Sequence, residues 1–119
     1  MRILPPASTM RAVTVLSDLA DLVPDARTRL NGVARVTPVE LNQRLTDATG
    51  CEVWLKREDL QPVRSYKLRG AYNLISQLSP EALEAGVVCA SAGNHGQGVA
   101  FAAAALGISA VVYVPTTTP

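Results

Sequence analysis

The sequence predicts an α/β fold with parallel strands, and three observations carry that expectation. Val87 to Ala90 and Ala110 to Val114 are short unbroken apolar runs, the pattern of strands covered on both faces. Between them, Val99 to Leu106 is apolar throughout and rich in alanine, which suits a helix packed closely on its neighbours. An earlier run, Cys51 to Lys56, alternates in part and is rich in Val, Trp and Leu. Strand, helix, strand, helix, strand then follow in order and imply right-handed crossovers.

Met1 to Ala7 holds a single Arg and an apolar stretch broken by Pro5 and Pro6, too short for a signal-peptide core or a membrane span. The simplest address is cytoplasmic. From about Met10 to Val23, apolar residues recur near helical spacing at Val13, Leu16, Leu19, Ala20 and Val23, until Pro24 interrupts them. Thr37-Pro38-Val39-Glu40 reads as a capping box: Thr37 caps a free amide, Glu40 reaches back, and Pro38 sits where no amide hydrogen is needed. Leu41, Leu45 and Ala48 would form the apolar face of that helix, with Gly50 as its stop. The charged run Lys56-Arg57-Glu58-Asp59 reads as a solvated turn. A helix begins near Ser65, with Leu68, Ala71, Tyr72, Ile75 and Leu78 at the spacing of a buried stripe. Ser79-Pro80-Glu81 restarts a short helix that Gly86 ends, and Gly107 ends the alanine-rich one. There is no internal repeat, linker or low-complexity segment.

With 119 residues, 48% of them hydrophobic and 18% charged, the chain supplies one compact domain or part of one. Eleven basic against ten acidic side chains leave a formal charge of +1, so the field that captures nucleic acid or an anionic membrane is lacking. Cys51 and Cys89 each lie in an apolar run outside any Cys/His cluster, which predicts buried reduced thiols and no metal.

Two turns carry potential chemistry, because ligands of such sheets gather beyond the carboxyl ends of the strands. In Arg64-Ser65-Tyr66-Lys67-Leu68-Arg69-Gly70, three cations crowd a helix start, against the preference of helix N-termini for negative charge. A lysine there has its ammonium form disfavoured, and a neutral amine is what condenses with an aldehyde. Lys67 is thus a candidate nucleophile; ordinary surface cations are the other reading of these residues. In Ser91-Ala92-Gly93-Asn94-His95-Gly96-Gln97-Gly98, glycines let the backbone approach a ligand, and the amides of the following helix make an anion site for a carboxylate or phosphate. The order Gly-x-x-Gly-x-Gly reverses the dinucleotide fingerprint, so a nicotinamide or flavin is not supported. A tight turn without a ligand, and a purely structural His95, stay open.

Both turns in this order, with Arg35-Val36-Thr37-Pro38 and Trp54-Leu55-Lys56-Arg57-Glu58-Asp59, resemble the fold-type II pyridoxal-phosphate (PLP) enzymes, and most closely the threonine dehydratases, or threonine ammonia-lyases. The resemblance covers most of the chain from Arg35 onward. It implies a parallel-sheet, three-layer fold like that of the tryptophan synthase β subunit, incomplete in this chain. It also implies PLP as cofactor and removal of water and then ammonia from L-threonine, giving 2-oxobutanoate. Lys67 would bond the PLP aldehyde and move the substrate's α proton. Asn94 would hydrogen-bond the cofactor's ring oxygen, and Ser91, Gly93, Asn94 and His95 would hold the substrate carboxylate. Tyr66, counted with the cofactor-binding residues, stands where the family usually has Phe. Gln61-Pro62-Val63-Arg64-Ser65 is more similar to the biosynthetic, isoleucine-pathway dehydratases than to the catabolic ones, which tend to place Thr-Gly before the serine. Serine racemases carry a second serine where this chain has Ala92, which disfavours a two-base racemase.

The family's glycine-rich phosphate loop and its Ser or Cys against the pyridine nitrogen have no match in these residues. The chain is therefore expected to be an N-terminal fragment, about 1–66 in a larger subdomain and about 67–119 beginning a smaller one, inactive and weak in PLP binding when alone. The resemblance implies a homo-oligomer for the whole enzyme, with an amino acid as its small-molecule partner. The rival readings are a catabolic serine/threonine dehydratase, or a non-catalytic α/β module that binds an anionic metabolite.

Overall fold

The computed structural model describes residues 16–118, with side chains from Leu19 onward. The start of the expected first helix and the stretch Met1 to Ala7 lie outside the described residues. Helix α1 (Leu16–Arg29) runs through Pro24 instead of ending there. Proline leaves the carbonyl one turn back without its amide donor. Ala20, which carries that carbonyl, is exposed, and water can bond it.

The expected capping box is not formed. Val39-Glu40-Leu41 is strand β1 (Val39–Leu41), antiparallel to β2 (Trp54–Lys56), with Val39 opposite Lys56 and Leu41 opposite Trp54. Ladder pairing to β2 takes the backbone that the helix would have used. Helix α2 (Gln43–Thr49) starts later, where Asn42 Oδ1 accepts from the amide of Leu45 at 3.0 Å. Gly50 closes it in the left-handed conformation, as the sequence predicts. No residue of α2 is buried, and the anticipated apolar face of Leu41, Leu45 and Ala48 is exposed.

A single 3₁₀ turn (Glu58–Leu60) leads to α3 (Lys67–Ile75), then α4 (Pro80–Ala85), β3 (Val87–Ala90), α5 (Asn94–Leu106) and β4 (Ala110–Tyr113). Ser79 Oγ caps α4 by accepting from Ala82 N at 3.3 Å, with Pro80 at the first helical position and Gly86 after the last. Strands β3 and β4 pair in parallel, Val87 with Ala110 through Ala90 with Tyr113, and α5 forms the crossover between them. The two strand pairs belong to separate sheets, so the first strand of the predicted succession does not join the parallel pair.

The core is the seam between α3 and α5. Ala71 and Ile75 meet Val99 and Ala102, with Tyr72, Leu83, Val87, Cys89 and Leu106 packed around them, and Leu68 and Ala103 are buried on the same two helices, all six 6% exposed or less. Alanine on α5 lets the two helix backbones approach closely. Only one face of the parallel pair is covered among the described residues: Val88 is 68% exposed and Tyr113 65%. The expectation of strands buried on both faces is thus corrected. So is the burial of Cys51, which is exposed; both cysteines are free, and Cys89 is half-buried.

Candidate active site

Lys67 is the first residue of α3. Buried Ser65 holds that start in place, its Oγ accepting from the amide of Lys67 at 3.4 Å. The Tyr66 ring is exposed, and its centroid lies 5.0 Å from Lys67 Nζ. The three cations of this turn have separate fates. Arg64 sits in left-handed backbone at φ 57°, unusual for a side chain with a Cβ, and its amide donates to Gln61 O. Thr-Gly, the catabolic pattern, would put glycine there at no steric cost. Arg69 turns to Glu58, and it alone of the three has an acidic partner at ion-pair distance among the described residues.

Helix α5 begins at Asn94, so the second turn is shorter than the sequence reading drew it, and Asn94 to Gly98 form the helix's opening residues. Ser91 Oγ accepts from the amide of Gly93 at 3.3 Å. The first bond back along the helix runs from Gln97 N to Gly93 O at 3.3 Å, so the amides ahead of it face outward from the helix end. The glycines divide by task. A Cβ on Gly96 would lie 2.7 Å from Ser91 O and 3.0 Å from Val112 Cγ1, and one on Gly98 would lie 3.0 Å from the carbonyl of Lys67. Both are required for internal packing and not, as the sequence suggested, for approach to a ligand. Gly93 alone of the turn's glycines faces open space, with nothing within 4 Å of a Cβ built there.

The Gly98 contact sets the head of α5 against the head of α3. Tyr66, Lys67 and His95 consequently line one cleft of about 480 Å³, with Leu74, Val88 and Cys89 among its apolar walls. Ser91, Gly93 and Asn94 do not line that cleft but stand at the same helix end, Gly93 and Asn94 exposed. An amine and an outward-facing set of amides at adjacent helix N-termini can bind a carbonyl compound that also carries an anionic group.

The sequence reading missed what lies behind Lys67. Glu58 grips Arg69 with both oxygens, at 2.8 Å to Nε and 2.8 Å to Nη2. Thr37 Oγ1 donates to Glu58 at 2.6 Å, and Gln61, 1% exposed, bonds both the amide and the carbonyl of Arg35. The supposed solvated charge run therefore has a half-buried, fully bonded member, and Thr37 serves this network instead of capping a helix. Glu40, expected to reach back to Thr37, pairs with Arg57 at 2.6 Å.

The hydrogen bonds from Arg69 hold the Glu58 carboxyl down at about 2, from an ordinary 4.5, against the opposing effect of burial. A lowered folded-state pKa contributes stability above the unfolded value and loses it as pH falls. Glu58→Gln should accordingly lower the melting temperature at pH 7 by a few degrees, corresponding to about 2 kcal/mol after allowance for the water that reaches the pair. The gap to wild type should close as pH falls from about 4.5 toward 2. A gap constant over that range would contradict the assignment.

Comparison with known proteins bears on this junction. Residues 30–119 match the family described as pyridoxal-phosphate dependent enzyme. The biosynthetic L-threonine dehydratase IlvA of Mycobacterium leprae is 60% identical over 94 residues, 79% of this chain and 22% of that protein. Its namesake from Staphylococcus aureus strain NCTC 8325 is 54% identical over 97 residues, covering 82% and 23%. Among solved structures, the processed form of threonine deaminase isoform 2 from Solanum lycopersicum superposes with a TM-score of 0.76 and 46% identity, over 88% of this chain and 31% of its own. Maize serine racemase follows at 0.74 and 35% identity, over 80% and 30%. The chain thus spans under a quarter of the length of these curated relatives.

Proposed function

The chain belongs to the pyridoxal-phosphate dependent enzymes, and on that footing we propose that it carries the cofactor lysine and the carboxylate turn of an enzyme converting L-threonine to 2-oxobutanoate and ammonia, the first step of isoleucine biosynthesis. One observation carries the reading: Lys67 at the head of α3 rests against Gly98 at the head of α5, so that an amine and an anion-binding helix end share one corner. Identity of 60% with a biosynthetic threonine dehydratase over 94 residues supports the choice of reaction.

The residues present fit PLP at its aldehyde end. Lys67 and Tyr66 line an open cleft, and Gly93 leaves space where any other residue would set a Cβ. When bound, PLP supplies an electron sink for charge formed at the substrate's α carbon. Lys67 Nζ is the atom that holds the cofactor and then takes the α proton. Asn94 would bond the cofactor's ring oxygen. Ser91, Gly93, Asn94 and His95 hold the substrate carboxylate, which the outward amides and the positive end of α5 attract. Tyr66 keeps an aromatic ring beside the amine. Ala92 has no hydroxyl, which leaves one base near the α carbon and favours loss of the β-hydroxyl over racemisation.

The separate strand pairs support an assignment of residues up to about 66 to a larger subdomain and of those from about 67 to a smaller one. No helix among the described residues is long and apolar enough to cross a membrane. A cytoplasmic homo-oligomer that takes an amino acid, with no role for nucleic acid, is consistent with the near-neutral charge.

Feeding L-threonine and L-serine to the intact protein tests the substrate. A pocket that accommodates the threonine methyl should favour threonine in kcat/KM by about tenfold or more, read as 2-oxobutanoate against pyruvate. A preference for serine would favour the catabolic reading, and turnover of neither would remove the enzyme.

A further inference from the structure

We infer that the Glu58–Arg69 pair is a positioning device for Lys67, fixing the first turn of α3 so that the lysine amine meets the cofactor aldehyde in a reactive pose. The inference rests on the assignment of Lys67 above and goes beyond it by naming residues to which that assignment gives no contact with the reactants.

Arg69 follows Lys67 by two positions on α3, so the two side chains leave opposite sides of the helix. Arg69 is among the residues around the cleft that holds Lys67, but its guanidinium turns to Glu58 and to the segment at Arg35 to Thr37. There it makes three bonds: two to the Glu58 carboxylate and one from Nη2 to Arg35 O at 3.1 Å. Glu58 is secured from its other side by Thr37 Oγ1 at 2.6 Å and by Gln61 Nε2 at 3.3 Å. Gln61 in turn accepts from Arg35 N at 3.0 Å and donates to Arg35 O at 2.9 Å. The first turn of α3 is thereby locked to two other stretches of chain, Arg35 to Thr37 and Glu58 to Gln61. On the other side, Gly98 of α5 lies so close to the Lys67 carbonyl that an added Cβ would be 3.0 Å from it. A backbone held from both sides limits Lys67 to motion about its own side-chain torsions, the preorganisation that an attacking amine requires.

A merely structural ion pair would also be expected to stabilise the fold, so the test must separate the two roles. Replacing both partners of a half-buried pair by apolar residues of similar length leaves stability near its starting value, whereas it removes directional bonding. In the intact apo-protein, the wild type and E58M/R69M are mixed with PLP. Cofactor retained on gel filtration is compared with cofactor linked to lysine, read from the visible band of the linked form and from borohydride trapping with peptide mapping. The expected result is near-wild-type melting and retention, with linkage at position 67 slowed by about tenfold or more. Linkage at the wild-type rate in the folded double variant would overturn the inference. Should that variant not fold, R69K carries the same comparison, because it keeps the charge and loses the two-pronged grip; wild-type linkage in folded R69K would equally overturn it. Trapping of wild-type protein at a lysine other than 67 would instead remove the functional assignment itself, so the two failures are distinct.

Discussion

Lys67→Ala in the intact protein should lower the rate of threonine deamination by at least about a thousandfold and abolish the borohydride-trapped pyridoxyl adduct. The magnitude follows from two lost functions: covalent attachment of the cofactor, and proton transfer at the α carbon, which alone contributes about a hundred- to ten-thousandfold. The substitution should leave the fold intact. Lys67 is the first residue of its helix, its backbone amide would still donate to Ser65 Oγ, and alanine is a good helix former. Loss of activity with an unchanged melting temperature is therefore the signature of a chemical role. A surface cation in a non-catalytic metabolite-binding module would yield no adduct in wild type and no change on substitution. Undiminished deamination by Lys67→Ala would sink the proposed function. Exogenous small amines that restore part of the rate would strengthen it, since they replace the proton acceptor without the side chain.

The sequence marks the two candidate turns more clearly than the fold around them. Lys67 and the Ser91 to Gly98 segment stand out because their pattern is local: a lysine at a helix start, and glycines ahead of a helix, are visible over eight residues. The helix stripe of Leu68, Ala71 and Ile75 and the two apolar strands were legible for the same reason. What failed depended on distant partners. Thr37-Pro38-Val39-Glu40 satisfies every local rule for a capping box, yet pairing with Trp54 to Lys56 turns Val39 to Leu41 into a strand. Glu58 looked solvated because its partners stand eleven positions ahead at Arg69 and twenty-one behind at Thr37, and no periodicity links them. The glycines misled in a subtler way. Their spacing correctly marks a crowded helix start, but crowding by Lys67 and Val112 is visible only once α3 and β4 are in place.

That division predicts opposite outcomes for alanine at three neighbouring glycines. Gly98→Ala would put a methyl 3.0 Å from the Lys67 carbonyl carbon and oxygen and 3.1 Å from Leu68 N, all backbone atoms that cannot swing aside. The α3–α5 seam must open by a few tenths of an ångström, and the seam is the core itself. Overpacking of this kind costs about 1–3 kcal/mol, partly offset by the better helix propensity of alanine. The displacement falls on the residue proposed to bond the cofactor, so cofactor linkage should fall further than stability does, by about tenfold or more, since misplacement of reacting groups by even 1 Å costs about a hundredfold. Gly96→Ala, at 2.7 Å from Ser91 O, should destabilise to a similar degree while disturbing the carboxylate turn instead of the lysine. If that turn holds the substrate as proposed, the variant should raise KM for the amino acid more than it slows linkage. Gly93→Ala meets no atom within 4 Å, so its melting temperature should match wild type, with any loss confined to substrate affinity. Melting curves, linkage rates and KM measured on the three variants give a pattern that a purely structural glycine cluster would not produce. If all three lost stability and linkage in the same proportion, α5 would not be what positions Lys67.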